Sequence, residues 1–217
     1  MLTEMLSLFT SSFWETLIMV GISGVVGGAV GVPLGVLLYL TDRDSVLPSL
    51  AVNRTLGLIV NAVRSTPFII LLVAVIPFTR LIVGTSIGTA AAVVPLTIAA
   101  APFVARLVET ALREVDRGLI EAAQSMGATT GQIVRKVLLP EALPGIVAGL
   151  TITFVSLVGY SAMAGAIGGG GLGDLGIRYG YQRFLPSVML AVVVILIVFV
   201  QLVQSLGDLL VKRLSHK

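Results

Sequence analysis

The chain has 217 residues, of which 56% are hydrophobic and only 12% charged, and its mean hydropathy is +1.05. A soluble domain carries about 25% charged residues, so the composition points to lipid as the solvent and away from a water-soluble fold. The net charge of +3 does not mark a nucleic-acid binder, because the basic residues are scattered rather than gathered in one stripe; the absence of cysteine removes any disulfide framework or thiolate metal site.

The length suits one domain covering residues 1–217. Met1 to Trp14 carries no Lys or Arg. It lacks the basic start of a signal peptide, and the apolar stretch after it is too long for a signal core, so this segment is expected to be retained. A crossing helix needs about 20 apolar residues to cover a hydrocarbon core of about 30 Å. Five segments qualify: within Thr16–Thr41, near Leu56–Thr79, within Leu81–Ala105, in the first part of the uncharged run Ala142–Gly173, and from about Phe184 to Gly207. Open strands leave backbone groups unpaired in lipid, and a barrel needs alternating segments of about 10 residues, whereas these runs are continuous. The expected class is all-α, a polytopic membrane protein with five transmembrane helices.

Lys and Arg counts orient the spans. Five crossings place Arg43, Arg54, Arg64, Arg106, Arg113, Arg117, Arg135, Lys136, Lys212, Arg213 and Lys217 on one side, and only Arg80, Arg178 and Arg183 on the other. The richer side is expected to be cytoplasmic. That puts the N-terminus outside, and the C-terminus and the loop of about 106–140 inside.

The first span carries Gly27, Gly31 and Gly35 at i, i+4 spacing, with Gly24 and Gly28 beside them. Small residues at this spacing let helices approach closely, either within one subunit or between two. Pro33 is expected to bend the helix. In the second span, Arg64-Ser65-Thr66-Pro67 puts a charge near the cytoplasmic membrane edge. Arg64 either snorkels to the interface or serves a gating or subunit contact, as intramembrane charges often do.

Residues 116–140 read as two short helices with a break. Asp116 is placed to N-cap the first. Leu119, Ala122, Ala123 and Met126 share an apolar face, Gly127 is placed for a left-handed C-terminal turn, and Thr129-Thr130-Gly131-Gln132 matches a capping box. Pro140 and Pro144 mark the return to the membrane. A short amphipathic helix on such a stalk suits docking into a partner's groove.

The spacing Glu121-Ala122-Ala123, Gly127 and Val137-Leu138-Leu139-Pro140 resembles the cytoplasmic coupling loop of ATP-binding-cassette (ABC) importer permeases, with Val137 where that family often has Ile. The resemblance implies that Ala122 and Ala123 allow close approach to a separate ATPase, Glu121 makes a polar contact with it or with a neighbouring Arg, Gly127 makes the bend, and Leu139-Pro140 anchors the return. The Arg-Ser-Thr-Pro run at 64–67 resembles a segment of amino-acid importer permeases.

Gly168, Gly170 and Gly173 match G-x-G-x-x-G literally, but a dinucleotide fingerprint follows a strand and needs an acidic residue about 20 positions on; here a membrane helix comes first. A tight turn or close backbone approach is expected instead. No P-loop occurs, so ATP hydrolysis is not expected in this chain. His216 is read as a solvated tail residue. No catalytic or metal constellation is present.

The stretch Gly159-Tyr160-Ser161-Ala162-Met163 mixes small residues with a phenol, a hydroxyl and a thioether. Met163 suits a surface that repacks around an apolar ligand, or else faces lipid or fills core. Continued through Arg183, the stretch resembles the methionine-importer permeases, and the likeness extends over nearly the whole chain, its length and its five spans. This implies a type I ABC importer permease moving D- and L-methionine, with Tyr160, Ser161, Met163 and Arg64 along the path. It further implies a homodimer in the bacterial inner membrane, two ATPase subunits that bind ATP and Mg, and an outer-face methionine-binding protein, periplasmic or lipid-anchored. The chain itself would need no cofactor. The alternatives are the same machine with another amino acid or small nutrient, a secondary transporter, whose spans would carry more ionisable residues, and a scaffold without transport.

Overall fold

A computed structural model describes residues 2–215; His216 and Lys217 lie outside the described residues. Among these, every regular element is helical, as the composition predicts.

Helix α1 spans Leu2–Leu40, far longer than the segment expected within Thr16–Thr41. Its first turns form because Met5, Leu8, Phe9 and Phe13 recur at helical spacing and pack on Leu172, Leu175, Val188 and Val192. Pro33 lies within α1 without ending it.

The second expected span is not one helix. It divides into α2 (Leu50–Ser65), α3 (Phe68–Ala74) and α4 (Ile76–Val83), and α2 and α3 meet at 106°. The elbow has a local cause. A residue before proline is driven out of the helical region, and Thr66, before Pro67, is extended at φ −84°, ψ 125°. The third span, α5, runs Thr89–Arg113; it begins inside the expected Leu81–Ala105, where Gly84 (φ 80°) and Gly88 (φ 96°) turn the chain between α4 and α5, and it runs on past Ala105.

After α5 come α6 (Arg117–Ser125) and α7 (Thr130–Ile133). The latter is not a separate second helix. It continues through a π-helical turn, Val134–Leu138, into α8 (Leu139–Ala164), so that Thr130–Ala164 is one continuous helix. Pro140 explains the wide turn: it offers no N–H, and its ring displaces the carbonyl four residues earlier, which a π-bulge accommodates. Beyond α8 the chain turns at Gly165–Gly169, forms the short α9 (Gly171–Leu175), widens again over Gly176–Gln182, and ends in α10 (Pro186–Leu214). Among the described residues four helices are long and apolar enough to cross a membrane, five if the bent α2–α3 pair counts as one span.

Small residues set the packing. Gly27 faces Ala100, Gly31 faces Ala101 and Val104, and Gly35 faces Ala105 and Val108, so α1 and α5 run parallel in close contact. The glycine stripe therefore packs within the subunit. Gly145 and Gly149 receive Ala111 and Leu107, and Gly207 receives Thr151, which brings α8 against α5 and α10 against α8. A Cβ on Gly35 would lie 2.5 Å from the Ala105 carbonyl oxygen, whereas one on Gly21 meets nothing within 4 Å. We expect Gly35→Ala to destabilise by about 1–3 kcal/mol through overpacking, and Gly21→Ala to stabilise by about 0.5–1 kcal/mol through helix propensity. Thermal unfolding in detergent checks both signs.

Candidate coupling loop and membrane path

The ends of α1, α5 and α10 and the start of α8 gather at one end of the bundle, where Leu214 and Ser215 share a cavity with Glu114 and Pro140. Helix α6 sits on this end. Asp116 Oδ1 accepts from the Gly118 amide at 2.7 Å, which starts the helix as expected. Gly127, at φ 76°, ends it: its amide donates to the Gln124 carbonyl (2.9 Å) and the Ala128 amide to that of Ala123 (3.0 Å), the paired bonds of a Schellman turn. Thr129 and Gln132 then exchange the two bonds of a capping box.

The apolar face of α6 differs from the expected one. Ile120 and Ala123 are buried against Val115, Ile133 and Leu138. Leu119 and Met126 stand outward, 45% and 82% exposed, with Ala122 and Glu121 also exposed. The helix is held by one stripe and leaves another exposed. Glu121 shares a cavity of about 550 Å³ with Asp42, Arg113, Arg117 and Gln124, so an Arg neighbour for its carboxylate exists within the chain. Val137 and Leu139 are half-buried at the foot of the long helix, and Pro140 is exposed.

Behind α6, Glu109 is 2% exposed, the one charged side chain in the buried set among the described residues. It accepts from Arg106 Nη1 at 2.6 Å and Arg113 Nη2 at 2.8 Å. Arg113 also reaches Asp42 Oδ2 (2.8 Å) and Arg106 reaches Asn61 Oδ1 on α2 (2.8 Å).

Of the four expected path residues, Tyr160, Ser161 and Met163 lie within one turn of α8 and Arg64 at the end of α2. Tyr160 is half-buried and stacks on Phe68 of α3, centroids 4.7 Å apart. Ser161 is buried and its hydroxyl donates to the Val158 carbonyl at 2.8 Å, so its polarity is satisfied within α8. Met163 is 47% exposed, on the open side of α8 with Ile152 and Gly159. Arg64 is exposed at the elbow, its guanidinium 6.0 Å from the Phe103 ring. Phe103 lies about 15 Å before the end of α5 along its axis, one turn before Arg106.

At the opposite end, Gly168, Gly170 and Gly171 all have positive φ and form a turn after a helix, not after a strand. The Gly171 amide donates to Glu15 Oε2 (2.6 Å) and the Leu172 amide to Thr16 Oγ1 (2.9 Å), while the Gly88 amide donates to the Gly168 carbonyl (2.8 Å). Sequence reasoning misses Glu15 and Thr16 as anchors; their partners lie 156 residues away, and no local pattern links them.

A helical bundle of membrane length, with a capped helix exposing an apolar stripe at one end, defines a multi-span membrane protein. The chain belongs to the family of inner membrane components of binding-protein-dependent transport systems, whose model matches residues 31–216. It is 60% identical to the probable D-methionine transport system permease protein MetI of Vibrio cholerae, covering 97% of this chain and 93% of that one. It is also 60% identical over 161 residues, 74% of each chain, to the D-methionine transport system permease protein MetI of Escherichia coli K12. Its fold matches a chain of the MetNI methionine ABC transporter, solved in inward-facing conformations, with TM-score 0.96 at 55% identity, covering 98% of this chain and 99% of that one. An amino acid ABC transporter solved with histidines shares the fold, with TM-score 0.78 at 23% identity. The family is one of membrane components, and the expected all-α permease architecture is correct.

Proposed function

We propose that this chain is the membrane-spanning permease subunit of an ATP-driven importer that carries D- and L-methionine into the bacterial cytoplasm. The observation that carries the cargo is 60% identity to a D-methionine permease across 97% of the chain. The outward stripe of Leu119, Ala122 and Met126 on a helix capped at both ends supports the coupling role.

In this reading residues 1–217 form one permease domain in the inner membrane, N-terminus outside and C-terminus inside. The segregation of basic residues toward the α6 end supports that orientation. Two copies enclose the path, with Tyr160, Ser161, Met163 and Arg64 near it. An ATPase subunit seats on each α6, touching Glu121 and Ala122, with Ala123 packed beneath them and Gly127, Val137, Leu139 and Pro140 holding the loop. ATP and Mg belong to that partner, and a periplasmic or lipid-anchored binding protein delivers methionine at the glycine-turn end. Closure of the ATPase pair moves both α6 helices and opens the path outward; reopening restores the inward state. For nearly complete switching, the two nucleotide states must differ by about 5.5 kcal/mol in their preference for the two path conformations.

Methionine uptake into proteoliposomes holding this chain with its ATPase, and binding protein outside, tests the reading. ATP-dependent accumulation of methionine is expected. An assembled, ATP-hydrolysing complex that ignores methionine would keep the machine and reject the cargo.

A further inference from the structure

Helix α2 is lightly embedded: Val60 is the one buried residue among its 16. Its apolar footing is a small patch of Leu34, Leu38, Leu56 and Ala105 around Val60. Two polar residues fix its position. Asn53 Nδ2 donates to the Leu38 carbonyl at 2.7 Å, tying its first turns to α1. Asn61, one turn before the elbow, accepts from Arg106, and Arg106 is held by Glu109.

A buried carboxylate persists in an apolar interior only when paired and hydrogen-bonded. Each oxygen of Glu109 takes a different arginine, and each arginine leads to a different element: Arg106 to α2, and Arg113 to Asp42 beyond α1. Charge-assisted bonds of this kind are directional, which apolar patches are not. Helix α5, which carries all three residues, continues through only Glu114–Asp116 to α6. We propose that Glu109 is a positioning residue for coupled transport: it locks α2, and with it the α2–α3 elbow, to the helix that feeds α6. A displacement of α6 then moves the elbow instead of being absorbed by slip of the small patch under Val60. Arg106 Nε, buried and without an acceptor, leaves the guanidinium a spare donor as the network rearranges.

This inference rests on the importer reading above, and its test separates the two. The complete complex of permease, ATPase and binding protein is compared with Glu109→Gln, which keeps the shape and removes the charge, and with Asn61→Ala at an exposed position. Assembly and basal ATP hydrolysis are expected within about twofold of the parent, while methionine moved per ATP falls about tenfold in Glu109→Gln, within the range over which single network residues shift coupling. The double variant is expected to be no worse than Glu109→Gln, because both changes cut one link, and Glu109→Asp restores part of the coupling. Unchanged coupling in Glu109→Gln overturns the proposal. So do multiplicative effects in the double variant, or a parallel fall of assembly, hydrolysis and uptake in both single variants.

A second readout needs no cargo. Spin labels on cysteines introduced by Leu58→Cys and Ile197→Cys follow α2 against α10 between the nucleotide-free and vanadate-trapped complexes. The distance is expected to change in the parent and not in Glu109→Gln. That result in a complex that ignores methionine would reject the cargo and support the role of Glu109; an equal change in both would overturn that role whatever the cargo.

Discussion

Gly127→Pro is expected to abolish association with the ATPase and reduce uptake to background while the bundle stays folded. Gly127 stands at φ 76°, and proline is confined to about −65°. Its amide donates to the Gln124 carbonyl, and proline has no amide hydrogen to give. The mismatch costs about 3 kcal/mol or more. Helix α6 has nine residues, well below the length at which a helix sustains itself, and only Ile120 and Ala123 bury it. The loss therefore falls on α6, not on the spans, whose contacts lie elsewhere. Gly127→Ala is the informative control. It keeps the amide and enters open space, with nothing within 4 Å of the new Cβ, so it costs about 1–2 kcal/mol for the left-handed backbone alone and should leave partial uptake. Co-purification of the ATPase with Gly127→Pro at the parental level would show that α6 is not the docking element.

The second large effect lies at the other end. Gly171→Val is expected to destabilise the fold by about 2–6 kcal/mol, the sum of a strained backbone and an overpacked site. Gly171 has φ 79°, and a Cβ there would lie 2.7 Å from both Met19 Cε and Thr16 Oγ1. The strained conformation alone is isolated by Gly84→Val, where φ is 80° but nothing lies within 4 Å; its cost should stay near 1–3 kcal/mol. Melting in detergent compares them. Equal shifts would mean that the Thr16–Glu15 cradle yields freely and does not fix the turn.

The sequence discloses what is local. Asp116, Gly127, Thr129 and Gln132 each act within four residues, so N-cap, Schellman turn and capping box are legible from residue order alone. The long apolar runs of α1, α8 and α10 are equally plain. The second span misleads because Pro67 and Pro77 sit in a run of Ile, Leu and Val that satisfies an apolar-length criterion while the backbone turns by 106°. The outward stripe of α6 is blurred in the sequence because Ala123 belongs to the buried side and Ala122 to the open one, and composition cannot separate two adjacent alanines. Glu109 reads as one more charge in the loop region 106–140; its burial depends on Arg106 and Arg113 lying on the same face and on Asp42 and Asn61 arriving from elsewhere. The Glu15–Gly171 bond is likewise set by the packing of α1 on α9, which periodicity does not encode.

The continuous helix from Thr130 to Ala164 has a mechanical consequence. At about 1.5 Å per residue it makes a rod of about 50 Å, with its foot beside α6 and its head just below the glycine turn. A rod neither shortens nor bends easily, so a tilt of about 10° about its middle would carry the two ends about 5 Å in opposite directions. The start of α9, just past the turn above the head, is fastened to α1 through Glu15 and Thr16. Any see-saw of this rod must therefore drag α1 with it or break those two bonds, and the stiffness of that fastening sets how far motion at the foot can be felt at the head.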